Sequence, residues 1–419
     1  MAAREVDYLL IGGGLASANC ARWLREEGAD GEVLLIGREL DPPYNRPACS
    51  KGYLRGEEQR EESSFRPQEW WAEQGIELLT RTSVTDLDPG ARTAKLSNRE
   101  EVHFGQALIA TGANVRRLNV DGCELDGIHY LRSYGNADAI RSDAEDAEHV
   151  VLVGGSFIAC EVAASLTAMG KSCTLVMQEQ VTLERVLGAR VARFFQEALE
   201  GKGIAIHGGE DLGRLQGDGR VAKVITAGGL QLEADEVVIG VGVMPDVMLA
   251  RKAGLEVGES GGVRCSSRLL TSAPGIYAAG DMCEYESLLP AAPRLRVEHW
   301  DVAFNHGRTA ALNMLGRDVP HGEVPYFFSV LAGIGELEYV GAARAWDEEV
   351  TRGSFADGSF TNWYLQNGAV VAALSWSRPD DLDHARRLIS DGGVLEAAHR
   401  AALADLDAEL ASVVGQKRD

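Results

Sequence analysis

At 419 residues, with 45% hydrophobic and 25% charged positions, the chain is long enough for two or three domains and has the composition of a globular protein, not a fibrous or disordered one. Its 63 acids outweigh 41 Lys and Arg and leave a net charge of -22, which argues against nucleic-acid binding, since that rests on clustered cations. No run reaches the ~18 uninterrupted apolar residues of a membrane span, and the N-terminal apolar run has acids beside it and no cleavage-site pattern, so neither a membrane partner nor a secretory signal is expected and the location is read as cytoplasmic.

In chain order, VDYLLIGGGLASANCARWLREEGADGEVLLIG (6–37) passes from an apolar run through glycines into a helical pattern and back to an apolar run, the signature of a βαβ unit. Gly12 and Gly14 take the first two positions of G-x-G-x-x-G, where one permits the turn and the other lets backbone approach a pyrophosphate; Ser17 stands at the third, where a small residue allows the helix to pack on the strand. The acid expected after the second strand is displaced by Arg38, leaving Glu39 as the candidate ribose ligand.

Next comes PPYNRPACSKGYL (42–54), with a thiol, Cys49, two residues before Lys51. ALIATGANVRRL (107–118) is a strand ending in a Thr-Gly turn. A second nucleotide loop follows in HVVLVGGSFIACEVAASLTAMGKSCTLVM (149–177), where Gly154 opens the turn, Ser156 holds the second glycine position and Ala159 the third. Two such loops in one chain imply two dinucleotides and electron transfer between them. The strand before position 177 ends in Met177 and the next acid is Glu179; no arginine lies in MQEQVTLE to grip a 2′-phosphate, so NADH is the expected donor, with NADPH left open.

TSAPGIYAAGDMCEY (271–285) is a further strand, ending in Gly280 and Asp281; the carboxylate there suits either a polyol chain or the cap of a helix. From PYFFSVLAGIGELEYVG (325–341) onward the pattern reads as strands, with a turn at Asn367 and Gly368, then helix from 380; the tail EAAHRAALADLDAELASVVGQKRD is an amphipathic helix candidate that docks on its own domain. Seven cysteines with no C-x-x-C spacing fit a reducing compartment and argue against a structural zinc site, a local redox dithiol or a resident iron-sulfur cluster.

GGGLAS, PYNRPACSKGYL, LIATGANVRRL, GGSFIACEVAASL, GIYAAGDM and RVEHWDVAFNHGRTAALNMLG, in this order, resemble the FAD-dependent pyridine-nucleotide oxidoreductases, and within them the ferredoxin-reductase branch. The resemblance implies an α/β chain of glutathione-reductase type, with two Rossmann-like nucleotide-binding domains and a smaller α+β C-terminal domain. It divides the chain into a discontinuous FAD domain (1–117 and 246–325), an inserted NAD(P) domain (118–245) and a C-terminal domain (326–419). It places FAD along Gly12 and Gly14 with its ribityl chain at Asp281, and Arg46, Thr111, Gly112 and Arg132 along the flavin nucleotide. Lys51 and Glu161 match a pair that meets beside the flavin ring, and Glu298 and Trp300 match a Glu-x-Trp element near it. Read without the family, Lys51 is a loop lysine and Glu161 an exposed helix residue.

The activity so implied is transfer of electrons from NAD(P)H through FAD to a [2Fe-2S] ferredoxin that serves an oxygenase, by a monomer or homodimer. Two rival readings stand beside it. Cys49 is either a small apolar residue or the redox thiol of an NADH oxidase, NADH peroxidase or coenzyme A-disulfide reductase; alternatively the chain is a redox-responsive binding protein of the apoptosis-inducing-factor type. Arg294, Arg296, Arg308 and Arg378 are candidate basic positions for docking an acidic ferredoxin.

Overall fold

The computed structural model describes residues 4–416. Its first sheet runs in the order Ile76–Leu79, Val33–Ile36, Arg4–Ile11, Glu101–Ile109, Thr93–Leu96, Val84–Asp88. The long strand Glu101–Ile109 divides its outer edge: its start pairs antiparallel with Thr93–Leu96, and its end pairs parallel with Ile276–Ala278. Residues 276–278 thus return to the sheet that the N-terminal unit began. The helix Leu15–Glu26 lies between this sheet and the helix Trp300–Met314, which is why its inner positions are the small residues Ala16, Ser17, Ala18 and Ala21.

The second sheet is wholly parallel, in the order Ala205–Gly208, Ser172–Met177, His149–Val153, Glu236–Ile239, Ile128–His129. A three-stranded antiparallel sheet (Leu212–Asp218, Arg220–Thr226, Gln231–Glu233) follows it. Ala113–Val115 and Val243–Pro245 form a short antiparallel pair where the chain passes out to the second sheet and comes back.

The last sheet is antiparallel, in the order Tyr326–Leu331, Gly335–Gly341, Ala369–Trp376, Ser359–Gln366, Glu348–Ser354. Asn367 and Gly368, both at positive φ, turn the hairpin at the expected place. The helix Asp381–Asp391 packs on it.

The C-terminal tail differs from the sequence expectation. It docks, but only Ala397–Ala404 is α-helical, followed by a 3₁₀ turn at Leu410–Ser412. The reason is Arg352: its buried guanidinium donates to the carbonyls of Ala402, Asp405, Leu406 and Ala408, groups that a continued helix would have used internally. Leu403, Leu410 and Val413 of this tail are buried.

One apolar core joins Tyr44, Cys49 and Leu54 to the helix Phe157–Ala168 and to Leu331, Tyr339 and Phe360 of the last sheet. The loop carrying Lys51, the helix carrying Glu161 and the strand carrying Ser329 are therefore held in fixed relation. Among the described residues no helix is long and apolar enough to cross a membrane.

Candidate active site

A cleft of about 1030 Å³ runs between the first and second sheets and is closed on one side by the last sheet. That is the upper end of ordinary ligand pockets, roughly 300–1,000 Å³. Gly12, Gly14, Glu39, Arg46, Lys51, Thr111, Gly112, Arg132, Ser156, Ala159, Glu161, Asp281, Glu298 and Trp300 all line it. Ser17, Gly154 and Glu179 do not.

The two glycine loops are built alike. Gly12 has φ +122°, and a Cβ there would lie 2.1 Å from the Ala110 carbonyl oxygen; Gly154 has φ +115°, and a Cβ there would lie 2.5 Å from the Gly240 carbonyl oxygen. Each loop thus closes onto a neighbouring strand end that only glycine can approach. Gly14 is the N-cap of Leu15–Glu26 and offers no side-chain cap, so the first-turn amides face the cleft; a Cβ on Gly14 meets nothing within 4 Å. Ser17 is buried under the loop, in keeping with a small residue at that position. In the second loop Ser156 caps Phe157–Ala168 by accepting from the Ala159 amide at 3.3 Å, and its hydroxyl donates to Gly240 O at 2.8 Å.

Beyond the first loop, Glu39 accepts from Arg46 at 2.8 Å and from the Tyr44 hydroxyl at 2.7 Å. Burial alone raises its carboxyl, but Arg46 and these hydrogen bonds outweigh it and hold the group below the usual range. Arg46 also donates to the Arg132 carbonyl, and Arg132 to Asp281 Oδ2 at 3.1 Å. Asp281 thus faces a cation and caps no helix, the turn at Gly280–Met282 having no side-chain cap. The Thr111 hydroxyl donates to Asp246 O at 2.6 Å and fixes the Thr-Gly turn.

At the cleft floor Lys51 Nζ lies 2.6 Å from Glu161 Oε2. Glu161 is 3% exposed, where the sequence read without the family left it on the surface. It is the one charged residue in FIACEVAASLTA, and the helix is buried around it. Ser50 donates to its Oε2 at 2.5 Å and Ser329 to its Oε1 at 2.7 Å. These two hydroxyls were missed in the sequence reading: Ser50 adjoins Lys51, but nothing local connects Ser329 with a helix 168 residues away. Phe328 flanks the ammonium, 5.9 Å from ring centroid to Nζ.

Trp300 stacks on Phe304 at 5.1 Å and 11° and donates from Nε1 to Asn45 Oδ1 at 3.1 Å, while Glu298 pairs with Arg296. Cys49 reaches the cleft wall but is 2% exposed, and burial pushes its thiol up to about 12. Glu179 pairs with Arg185 at 3.2 Å; that arginine lies one residue beyond MQEQVTLE. Arg294, Arg296, Arg308 and Arg378 each face an acid, respectively Glu286, Glu298, Glu323 and Asp381.

The residues present fit a dinucleotide on each loop. The Gly12–Gly14 cradle leaves room for a phosphate against free helix amides, and Asp281 and Arg132 supply polar partners further along. His299 also lines the cleft; its Nδ1 is buried without a hydrogen-bond partner among the described residues, and burial lowers its pKa to about 4.

Residues 6–307 match the family described as pyridine nucleotide-disulphide oxidoreductase, and residues 335–414 match the reductase C-terminal domain. The ferredoxin reductase subunit of 5,5'-dehydrodivanillate O-demethylase from a Sphingobium species is 34% identical over 96% of this chain and 97% of its own length. The ferredoxin–NAD(+) reductase subunit of the benzene 1,2-dioxygenase system of Pseudomonas putida is 31% identical over 97% of each chain. Among solved structures, a ferredoxin reductase from Rhodopseudomonas palustris superposes with a TM-score of 0.91 at 30% identity, over 97% of this chain and 100% of that one. The covalent putidaredoxin reductase–putidaredoxin complex gives 0.91 at 29% identity, over 97% and 98%. With both nucleotide loops, the cleft between them and the C-terminal sheet accounted for, the chain belongs to the pyridine nucleotide-disulphide oxidoreductase family, in its ferredoxin-reductase branch, and uses FAD and NAD(P)H.

Proposed function

We propose that this protein is the reductase component of an oxygenase system, taking electrons from NAD(P)H and delivering them to a [2Fe-2S] ferredoxin. The observation that carries the reading is the Lys51–Glu161 ion pair at the floor of a cleft lined by both nucleotide loops. FAD, when bound, accepts the two electrons of a hydride together and gives them up one at a time. The chain's residues arrange that chemistry. Lys51 brings a positive charge to the floor of the cleft; Glu161 keeps it there, and Ser50 and Ser329 fix the carboxylate so that the ammonium has one position.

In this reading residues 1–117 and 246–325 hold FAD through Gly12, Gly14, Glu39, Arg46, Thr111, Gly112, Asp281 and Glu298, with Ser17 packed beneath the first loop and Arg132 reaching in from the inserted segment 118–245. The pairing of Ile276–Ala278 with Glu101–Ile109 supports that discontinuous division. Residues 118–245 hold the nicotinamide dinucleotide through Gly154, Ser156, Ala159, Glu161 and Glu179, and the last sheet closes the cleft with Phe327 and Phe328. Trp300 stands on the side by which electrons leave. The named activities of the relatives agree with this assignment.

The test is NADH- or NADPH-driven bleaching of a [2Fe-2S] ferredoxin by the purified holoprotein, run beside hydrogen peroxide and coenzyme A disulfide as rival acceptors. Turnover confined to ferredoxin supports the assignment; turnover of peroxide or disulfide that disappears in Cys49→Ala overturns it.

A further inference from the structure

The turn at Gly280–Asp281 is held from behind by a residue that the activity above does not use. His306, on the helix Trp300–Met314, is 0% exposed, and its Nδ1 accepts from the Gly280 amide at 3.1 Å. Gly280 sits at φ +73°, just past the end of the strand Ile276–Ala278, where the ladder no longer supplies an acceptor for its N–H. A buried backbone donor has to be paired, and here the partner is an imidazole rather than a carbonyl. From this atom the chain runs directly to Asp281, whose carboxylate lines the cleft and meets Arg132 at 3.1 Å, and whose carbonyl accepts from Arg296 at 3.1 Å.

The acceptor role fixes the tautomer: the proton resides on Nε2. That nitrogen is buried with no hydrogen-bond partner among the described residues, enclosed by the rings of Tyr285 (4.7 Å, 89°) and His321 (4.5 Å, 81°), edge-on arrangements that suit an N–H directed at a ring face. His321 in turn lies 3.0 Å from Glu323 and 3.2 Å from the Thr309 hydroxyl. Burial, and then the neighbouring His321, hold His306 well below its usual pKa, so the acceptor nitrogen stays unprotonated.

We propose that His306 is a positioning residue for the flavin nucleotide: its unprotonated Nδ1 anchors the Gly280 amide and so fixes the turn that presents Asp281 to the cleft. This rests on the assignment of FAD to that cleft. His306→Asn keeps an acceptor oxygen near the place of Nδ1, whereas His306→Leu fills a similar space without one.

The experiment follows FAD release from the diluted holoproteins by the rise of flavin fluorescence. Release from His306→Asn within about threefold of wild type, with His306→Leu at least tenfold faster, is the expected result. Equal release from wild type and the Leu variant, or Asn as fast as Leu, overturns the inference. If the Leu variant does not fold, nitrogen NMR of histidine-labelled wild-type holoprotein decides, with His306→Asn used for assignment: Nδ1 unprotonated supports the inference and Nδ1 protonated refutes it. A wild-type protein that retains no flavin at all would refute the cofactor assignment itself, and this inference with it.

Discussion

Glu161→Gln isolates the charge at the cleft floor. The side chain is 3% exposed and accepts from Lys51, Ser50 and Ser329 at 2.6, 2.5 and 2.7 Å, while the Lys51 side chain is 16% exposed. Glutamine keeps the shape and one acceptor oxygen, so the main loss is the counter-charge, leaving an ammonium in a largely dehydrated place. Breaking a buried pair from one side costs about 3–5 kcal/mol, whereas removing both charges together is often close to neutral. The expectation is that Glu161→Gln and Lys51→Met each lower stability by roughly 3 kcal/mol or more, and that the double variant recovers at least about 2 kcal/mol of the summed loss. Turnover follows a different rule, because the double variant still lacks the cation: ferredoxin reduction stays at least about tenfold down, equivalent to about 1.4 kcal/mol of barrier. Urea unfolding of the four holoproteins at equal FAD, paired with NADH-driven ferredoxin reduction, separates the two effects. Stability losses that add within about 0.5 kcal/mol, or a double variant with restored turnover, would refute the reasoning.

Gly12→Ala puts a Cβ 2.1 Å from the Ala110 carbonyl oxygen at φ +122°, so the purified protein should lose most of its FAD, measured as flavin absorbance per chain. Cys49→Ala should keep ferredoxin reduction within about twofold, and the wild-type thiol, pushed by burial up to about 12, should resist alkylation in the native protein at pH 8; rapid single-site labelling there would contradict this. Arg352→Met frees four carbonyls of the C-terminal tail, and limited proteolysis should then cut within residues 397–416 faster than in wild type. Glu236, fully buried with neither oxygen hydrogen-bonded among the described residues and with His129 Nε2 at 3.8 Å from Oε1, has its carboxyl raised by burial and then by Asp143 from the ordinary 4.5 to about 8. Since the native state then holds a proton that the unfolded chain releases, stability should fall as pH rises from about 4.5 to about 8, and Glu236→Gln should flatten that slope in urea titrations across the window.

The sequence showed the two nucleotide loops because their physics is local: a glycine at positive φ, an uncapped or Ser-capped helix and a buried strand lie within a dozen residues of each other. The Asn367–Gly368 hairpin was legible for the same reason. The environment of Glu161 was not. Its burial depends on a loop 110 residues before it and a strand 168 residues after it, although a lone acid in an otherwise apolar helix was a visible clue. Arg185 lies one residue beyond MQEQVTLE, and folding brings it back to Glu179. The amphipathic pattern of the tail overstated its helix, since Arg352 on a distant strand takes the carbonyls that helix would have needed. Sequence alone does not divide packing from reactivity at Cys49, because both place a thiol at the same position; its burial, 2% exposed, favours packing.

The most direct measurement is an anaerobic reductive titration of the purified holoprotein, counting electrons taken up per FAD and then adding a [2Fe-2S] ferredoxin to the reduced enzyme. The account predicts two electrons per FAD, all recovered as two reduced ferredoxins. Uptake of four electrons per FAD, or reduced flavin that leaves the ferredoxin oxidised, would contradict it.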